Sequence, residues 1–284
     1  MRRLSLALAA GLLAMSSPQG AAFADPVDDK LVIDDKEMIT RTKAPEGHPF
    51  EEVLSGWLFR EAETRATEAD SFANPGMLAV ERGQEIWNTV DGTAGKSCAS
   101  CHEDASVSMK DVGARYPKWD AKANKPLNIE LQIDKCRTEN MGAEAYKFDA
   151  EEQVALTTYI KHQSLGTPVS VDLKQGEMQS WWNKGKDLYY TRTGQLNLSC
   201  SNCHENSMGK FIRADHLSQG QVNGFPTYRF SAPAMVSLHN RFRGCIRDTR
   251  AEMPKAFSDD LMALEVYVTW RGLGLSVETP AVRQ

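Results

Sequence analysis

Helical periodicity marks the beginning and the end of a stretch in the first half of the chain. Ala79, Gly83 and Trp87 recur at four-residue intervals and so share one face of a helix. Further along, Leu156 and Tyr159 fall on one face of another helix by the same rule. The pattern predicts two amphipathic helices that enclose a segment rich in loop residues.

The second half of the chain repeats this pattern. Gly185 and Tyr189 stand in an opening helix, and Leu264 and Tyr267 stand in a closing helix. A glycine on the opening helix lets another backbone approach closely, and the aromatic residue one turn later fills the angle beside it. We therefore expect the opening and closing helices of each half to cross at the glycine.

The ends of these segments suggest how the chain is divided. Asp149 is predicted to be the N-cap of the first closing helix, and Gly166 is predicted to end that helix. One possible helix lies within residues 51–69. We predict a mainly α chain with an N-terminal extension at residues 25–73, a first module at 74–170 and a second module, related to it by duplication, at 171–284.

The first residues have the features of a secretory signal. Two arginines precede an apolar run, and an Ala-x-Ala cleavage site ends at Ala24. We expect residues 1–24 to be a signal peptide that is removed on export, which would place the protein in the periplasm of a bacterium. No later apolar run is long enough to cross a bilayer, so no membrane span is expected.

Charge narrows the choice of partners. The 284 residues carry a formal net charge of -5, and an acidic chain is a poor partner for nucleic acid. Against this background the segment "HNRFRGCIRDTR" is unusual, because four arginines surround Cys245. These arginines are Arg241, Arg243, Arg247 and Arg250.

Two C-x-x-C-H motifs, "CASCH" and "CSNCH", carry the signature of covalent haem c attachment. In this signature both thiols bond to the haem vinyl groups, and the histidine becomes the proximal ligand of the iron. The motifs predict two haem c groups. The residues involved are Cys98, Cys101 and His102 in the first motif and Cys200, Cys203 and His204 in the second.

The opposite face of each iron has several candidate ligands. Cys136 and Cys245 lie at corresponding places between the haem motif and the closing helix, which favours thiolate ligation. Met141 and Met253 are the alternatives, and methionine ligation would make a plain electron carrier. A third alternative is a disulfide between Cys136 and Cys245, although their Cα atoms would have to lie within about 6–7 Å of each other.

The arginines around Cys245 suggest an anionic substrate. Guanidinium groups bind oxyanions in a bidentate manner and also stabilise a thiolate. Cys136 has the corresponding place in the first module without such a cluster. Haem propionates and Asp248 are alternative partners for some of these arginines.

These motifs together resemble the SoxA family, the cytochrome subunits of a bacterial L-cysteine S-thiosulfotransferase. The resemblance rests on the tandem C-x-x-C-H modules, the cysteine after each motif and the R-x-x-x-C segment "RFRGC". The predicted helix crossings similarly resemble those of class I cytochromes c. The resemblance implies axial ligation by His102 with Cys136 and by His204 with Cys245.

The resemblance also implies an activity and partners. Thiosulfate would be coupled oxidatively to a cysteine of a SoxYZ carrier complex, and two electrons would pass to cytochrome c. Cys245 would be the catalytic sulfur, as a thiolate or a persulfide, and Arg241 would bind the substrate. Arg247 is a further candidate for substrate binding, on the basis of its charge alone. A monohaem SoxX would complete a heterodimer. The competing function is a dihaem electron carrier with Met/His ligation and no catalytic activity.

Overall fold

The computed structural model describes residues 30–284, so the predicted signal peptide at residues 1–24 lies outside the described residues. Helices predominate in the described part, as the sequence predicted. The α-helices are α1 (Ala62–Ala69), α2 (Met77–Asn88), α3 (Ala99–His102), α4 (Ala105–Ser108), α5 (Ile129–Cys136), α6 (Glu151–His162), α7 (Met178–Tyr190), α8 (Cys200–His204), α9 (Leu238–Asp248) and α10 (Asp259–Arg271).

The strands are short and form hairpins around the helices. One three-stranded sheet has the order β10-β9-β11, with β11 parallel to β9. The strands are β1 (Val32–Ile33), β2 (Lys36–Glu37), β3 (Arg41–Lys43), β4 (Glu52–Leu54), β5 (Lys118–Asp120), β6 (Lys125–Leu127), β7 (Phe211–Ile212), β8 (Asp215–His216), β9 (Thr227–Arg229), β10 (Ala234–Val236) and β11 (Ala281–Arg283). Short 3₁₀ turns occupy Gly56–Phe59 and Gly113–Arg115, and a π-helical turn occupies Arg137–Met141.

Helices α2 and α6 cross at Gly83, as the sequence predicted. A Cβ on Gly83 would overlap the carbonyl oxygen of Ala155 and the Cβ of Tyr159, so only glycine permits this approach. Beside the crossing, the rings of Trp87 and Tyr159 meet edge to face with their centroids 6.0 Å apart. The apolar faces of both helices are thereby buried against each other.

Helices α7 and α10 repeat this crossing in the second half. A Cβ on Gly185 would overlap the carbonyl oxygen of Ala263, and the rings of Tyr189 and Tyr267 meet with their centroids 5.3 Å apart. Helix α10 is buried along most of its length, and residues such as Met262 are fully buried. Each pair of crossing helices thus supports the loops that follow its opening helix.

The N-terminal extension packs on the second half and on the C-terminal strand. Glu68 of α1 accepts a hydrogen bond from the backbone N–H of Val282, 2.8 Å away, and the N–H of Leu54 donates to Gln219 at 2.9 Å. The helix predicted within residues 51–69 is shorter than expected, because a strand and a 3₁₀ turn precede α1. Residues 30–73 of the extension are therefore part of the folded body.

Asp149 does not cap α6. Ala150 occupies the N-cap position, and Asp149 adopts a left-handed backbone with φ of +60°. Its carboxylate turns to α9 instead, where it accepts hydrogen bonds from the Ser237 hydroxyl at 2.6 Å and from the Asn240 amide at 2.5 Å. The N-cap predicted at Asp149 is therefore wrong, because the Asp149 carboxylate is hydrogen-bonded to α9.

Within residues 30–284, no helix is both long and apolar enough to span a lipid bilayer.

Candidate haem and substrate site

The second haem motif and α9 line one cavity of about 340 Å³. Its wall brings together five residues that the sequence singled out: Cys200, Cys203 and His204 of α8, and Arg241 and Cys245 of α9. The remaining wall is largely apolar and comes from α7, α9 and α10. The cavity thus combines a haem attachment motif with a thiol and a guanidinium.

The imidazole of His204 is oriented for metal binding. Its Nδ1 lies 2.9 Å from the carbonyl oxygen of Ser218, so Nδ1 carries the proton and Nε2 remains free. Burial lowers the pKa of His204 to about 4, and this keeps the ring neutral. A hydrogen bond from the second ring nitrogen is the usual support of a metal-binding histidine.

Helix α9 sets the positions of Arg241 and Cys245. Ser237 caps the helix and accepts a hydrogen bond from the backbone N–H of Asn240, 3.4 Å away. Arg241 and Cys245 follow at an interval of four residues, so both side chains project from one face of α9. Because Asp149 holds the first turn of α9, the position of this face depends on a contact from the first half of the chain.

The first haem motif lines a separate cavity of about 490 Å³. Cys98, Cys101 and His102 stand on one side, and Cys136 at the end of α5 also lines it. The ring of His102 lies beside Trp87, with their centroids 5.8 Å apart. The structure therefore brings together the four residues that the sequence assigned to the first haem.

The surroundings of Cys136 differ from those of Cys245. The side-chain amide of Gln132, one turn earlier, lies 3.4 Å from the Cys136 sulfur. The neighbouring Arg137 is already paired, because it contacts Asp91 at 2.8 Å and donates to the Tyr146 hydroxyl at 2.9 Å. Cys136 thus has an amide one turn earlier where Cys245 has Arg241, and the arginine next to it in sequence is paired.

The alternative ligands are placed differently in the two halves. Met253 is 43% exposed and does not line the second cavity, whereas Met141 is buried and lines the first. All six cysteines are free, so Cys136 and Cys245 are not joined in a disulfide. The second cavity is therefore lined by both His204 and Cys245, and the first by both Cys136 and Met141.

The arginines near Cys245 point in different directions. Arg243 donates to the carbonyl oxygen of Pro254 at 3.2 Å and lies over the ring of Phe148. The Arg247 side chain is 65% exposed and lies 3.4 Å from Asp248. Of the four arginines, only Arg241 lines the cavity. A role for Arg247 in substrate binding stays a prediction.

Sequence reasoning missed the residues that support the site from a distance. Ser218 and Asp149 lie 14 and 88 residues from the side chains they hold, and no motif marks either of them. Arg229 on β9 was also missed, although the duplication offered a way to find it. It stands in the hairpin before α9, where the hairpin before α5 has Asp120.

Haem c fits both cavities. Each has two cysteines and a histidine in the attachment spacing, and each is within the ordinary size range for cofactor sites, roughly 300–1,000 Å³. The free Nε2 of His204 supplies a neutral nitrogen donor to the second cavity. Crossing helices with such cavities define a c-type cytochrome, in which haem is bound covalently.

The comparisons with known proteins identify the family. A model described as "SoxA/TsdA, cytochrome c domain" matches residues 82–169. The L-cysteine S-thiosulfotransferase subunit SoxA of Pseudaminobacter salicylatoxidans is 81% identical over 264 residues, which cover 93% of this chain and 92% of the relative. The corresponding subunit of Paracoccus pantotrophus is 47% identical over 270 residues, with 93% and 92% covered. The chain belongs to the SoxA family.

A solved structure agrees with this assignment. The crystal structure of SoxXA from P. pantotrophus superimposes with a TM-score of 0.87 at 47% identity. The match covers 92% of this chain and 100% of the matched chain. The mainly helical, cytochrome c-like fold predicted from the sequence is thereby confirmed.

Proposed function

We propose that this chain is the dihaem catalytic subunit of a thiosulfate-oxidising L-cysteine S-thiosulfotransferase. One observation carries the proposal: Arg241 and Cys245 project from one face of α9 into the cavity that holds Cys200, Cys203 and His204. A cation and a thiol at a haem site suit a small sulfur dianion. The printed names of the relatives support the same activity.

Two haem c groups would be held by this chain. Cys98 and Cys101 would attach the first, and Cys200 and Cys203 would attach the second. The axial pairs would be His102 with Cys136 and His204 with Cys245. When bound, the second haem would supply an electron-accepting centre next to the Cys245 sulfur.

The chain's own residues would bind thiosulfate and form the sulfur bond. Arg241 holds the sulfonate oxygens and directs the outer sulfur at Cys245. A bond forms between the Cys245 sulfur and this outer sulfur, and two electrons leave through cytochrome c. The thiolate of the carrier cysteine then attacks the outer sulfur, which breaks its bond to Cys245. The net reaction couples one thiosulfate to one carrier thiol and releases one proton and two electrons.

The partners and the location belong to the same proposal. The matched crystal structure is of SoxXA, which supports a heterodimer with a monohaem SoxX. The SoxYZ carrier complex would be the protein substrate, and a cytochrome c would be the electron acceptor. Export through the predicted signal peptide would place the complex in the periplasm.

A second candidate function is a dihaem electron carrier with methionine ligation. It is favoured by one observation, the burial of Met141 in the first cavity beside Cys136. The same function would require Met253 in the second half, and that residue is exposed outside the second cavity. The second cavity therefore favours the catalytic function.

Replacement of Cys245 by serine tests the proposal. In the complex with SoxX and SoxYZ, Cys245→Ser should abolish thiosulfate-dependent reduction of cytochrome c while the covalent haem content stays at two per chain. Met253→Leu is the matched control, because it removes the rival ligand and should retain both turnover and the visible spectrum. Turnover of Cys245→Ser at the wild-type rate would overturn the proposal.

A further inference from the structure

Two equivalent units of a hairpin followed by a helix present the cysteines to the two cavities. In the first unit β5 and β6 lead to the N-cap Asn128 and then to α5, which ends at Cys136. In the second unit β9 and β10 lead to the N-cap Ser237 and then to α9, which carries Cys245. Each cysteine lies eight residues after its N-cap, so the units can be compared position by position.

Several positions differ in charge between these units, and at two of them the second unit has an arginine without an acidic partner among the described residues. The last residue of the first strand, eight residues before the N-cap, is Asp120 in the first unit and Arg229 in the second. The helix position one turn before the cysteine is Gln132 in the first unit and Arg241 in the second. An acid and a neutral amide are thus both replaced by arginine beside the sulfur proposed to be catalytic.

The first unit satisfies its polar groups internally. Asp120 forms an ion pair with Lys135 of α5, and Gln132 contacts the Cys136 sulfur at 3.4 Å. In the second unit Gly244 stands where Lys135 stands in the first. Neither Arg229 nor Arg241 has a carboxylate within ion-pair distance among residues 30–284. Their charges are therefore available to an anion.

The hairpin of the second unit places Arg229 beside α9. In the first unit the equivalent residue, Asp120, contacts Lys135, the residue before Cys136, and the corresponding helix position in the second unit is the residue before Cys245. Strand β9 pairs with β10 on one side and with β11 on the other, and Arg229 lies opposite Ala234 and Arg283. Because side chains alternate along a strand, Arg229 shares a face with Thr227, which is buried. Burial and, after it, the charge of Arg241 lower the pKa of Arg229 to about 10, whereas the Cys245 sulfur acts to raise it.

The two guanidinium groups differ in their relation to the haem cavity. Arg241 lines the cavity of about 340 Å³, whereas Arg229 does not. Arg229 therefore lies outside the space that a haem would fill. Two half-buried cations with no acid between them repel each other, and an anion bound to both relieves that repulsion.

We propose that Arg229 is a second anion-binding residue, which together with Arg241 holds the sulfonate group of thiosulfate while its outer sulfur faces Cys245. This inference rests on the proposed function. It extends that function because a single arginine leaves the sulfonate free to rotate, whereas two guanidinium groups on different elements fix its direction. Arg229 is thus expected to act on substrate binding.

The test measures thiosulfate binding and turnover separately. Thiosulfate is titrated calorimetrically into the oxidised SoxX-bound holoprotein without carrier, and cytochrome c reduction is then assayed with SoxYZ. Arg229→Gln should raise the Kd and the KM for thiosulfate about tenfold or more, and Arg229→Lys should raise them less. Arg82→Gln, which removes an exposed arginine paired with Glu85, is the matched control and should change neither constant.

Haem content and the visible spectrum are recorded for every variant. Unchanged Kd and KM in Arg229→Gln would overturn the inference, and so would a loss of haem or a spectral shift without a change in Kd, which would assign Arg229 to a haem propionate. If the wild-type complex neither binds nor oxidises thiosulfate, the proposed function itself fails. If the wild-type complex is active and Arg229→Gln changes neither the Kd nor the KM for thiosulfate, only the role of Arg229 is wrong and the proposed function stands.

Discussion

Asp149 accepts a hydrogen bond from the Ser237 hydroxyl at 2.6 Å and thereby joins the loop before α6 to the N-cap of α9. The second carboxylate oxygen accepts from the Asn240 amide. One side chain from the first half thus anchors the helix that carries Arg241 and Cys245. The positions of the proposed substrate residues depend on this link between the two halves.

Removal of this link should destabilise the protein. Asp149→Ala leaves two polar groups of α9 without their partner, and we expect the free energy of unfolding to fall by about 1–3 kcal/mol. Denaturant unfolding of the haem-loaded protein measures this change. Asp260→Ala is the control: it removes an exposed partner of Lys184 and should cost less than about 1 kcal/mol. Equal losses in both variants would contradict a special role for Asp149.

The helix crossing in the second half gives a prediction about stability. In Gly185→Ala the new methyl group would overlap the carbonyl oxygen of Ala263, so the helices must separate. We expect a loss of about 1–3 kcal/mol or more in the free energy of unfolding. Gly244→Ala is the matched control, because its Cβ would meet nothing within 4 Å.

The control should respond in the opposite direction. Gly244 lies in the interior of α9, where alanine is a better helix former than glycine by about 0.5–1 kcal/mol. Gly244→Ala should therefore raise the free energy of unfolding. A Gly185→Ala variant as stable as the wild type would show that the helices do not need this close approach.

The sequence predicted those parts of the molecule that depend on local patterns. The helix crossings at Gly83 and Gly185 could be predicted, because residues four positions apart lie on the same face of a helix. The haem motifs were equally local. Ser218 could not be found, because its carbonyl oxygen meets His204 only after the loop between them has folded. Asp149 was misassigned because its side chain bonds to a helix 88 residues away.

The buried Glu278 gives a prediction about pH dependence. Burial and, after it, the charge of the neighbouring Glu68 raise its pKa from 4.5 to about 8, although the Ser55 hydroxyl donates a hydrogen bond to it at 2.7 Å. The folded state therefore binds a proton that the unfolded state has lost between about pH 4.5 and pH 8. The free energy of unfolding should fall as the pH rises through this window, by up to ~1.4 kcal/mol per pH unit.

Glu278→Gln isolates this contribution. The amide keeps the shape of the protonated carboxyl but does not titrate. The free energy of unfolding of the variant should therefore increase relative to that of the wild type as the pH rises. Denaturation at pH 5, 6, 7 and 8 gives this difference, and Glu85→Gln on the surface of α2 serves as the control. A difference that is constant with pH would show that Glu278 does not titrate in this window.

The ligand of the haem proposed for the first cavity can be tested with two single variants. Cys136→Ser removes a thiolate donor, so the reduction potential of the first haem should rise and its low-spin electron paramagnetic resonance signal should change. Met141→Leu should leave both properties unchanged. The opposite result, with a response only in Met141→Leu, would assign methionine ligation to the first cavity.

The two arginines predicted to bind substrate should differ in effect. Arg241 lines the second cavity one turn before Cys245, whereas Arg247 lies two residues beyond it, on another face of α9, with its side chain exposed beside Asp248. Arg241→Gln should raise the KM for thiosulfate about tenfold to a hundredfold, as expected for the loss of a charge-assisted contact.

Arg247→Gln should change the KM by less than about threefold, because an exposed charge beside an acid is screened. The comparison is made by steady-state reduction of cytochrome c with saturating carrier, at constant haem content. If Arg247→Gln weakened binding as much as Arg241→Gln, the substrate would have to lie at the exposed end of α9. The dianion would then approach Cys245 along the solvent side of the helix and not through the cavity wall.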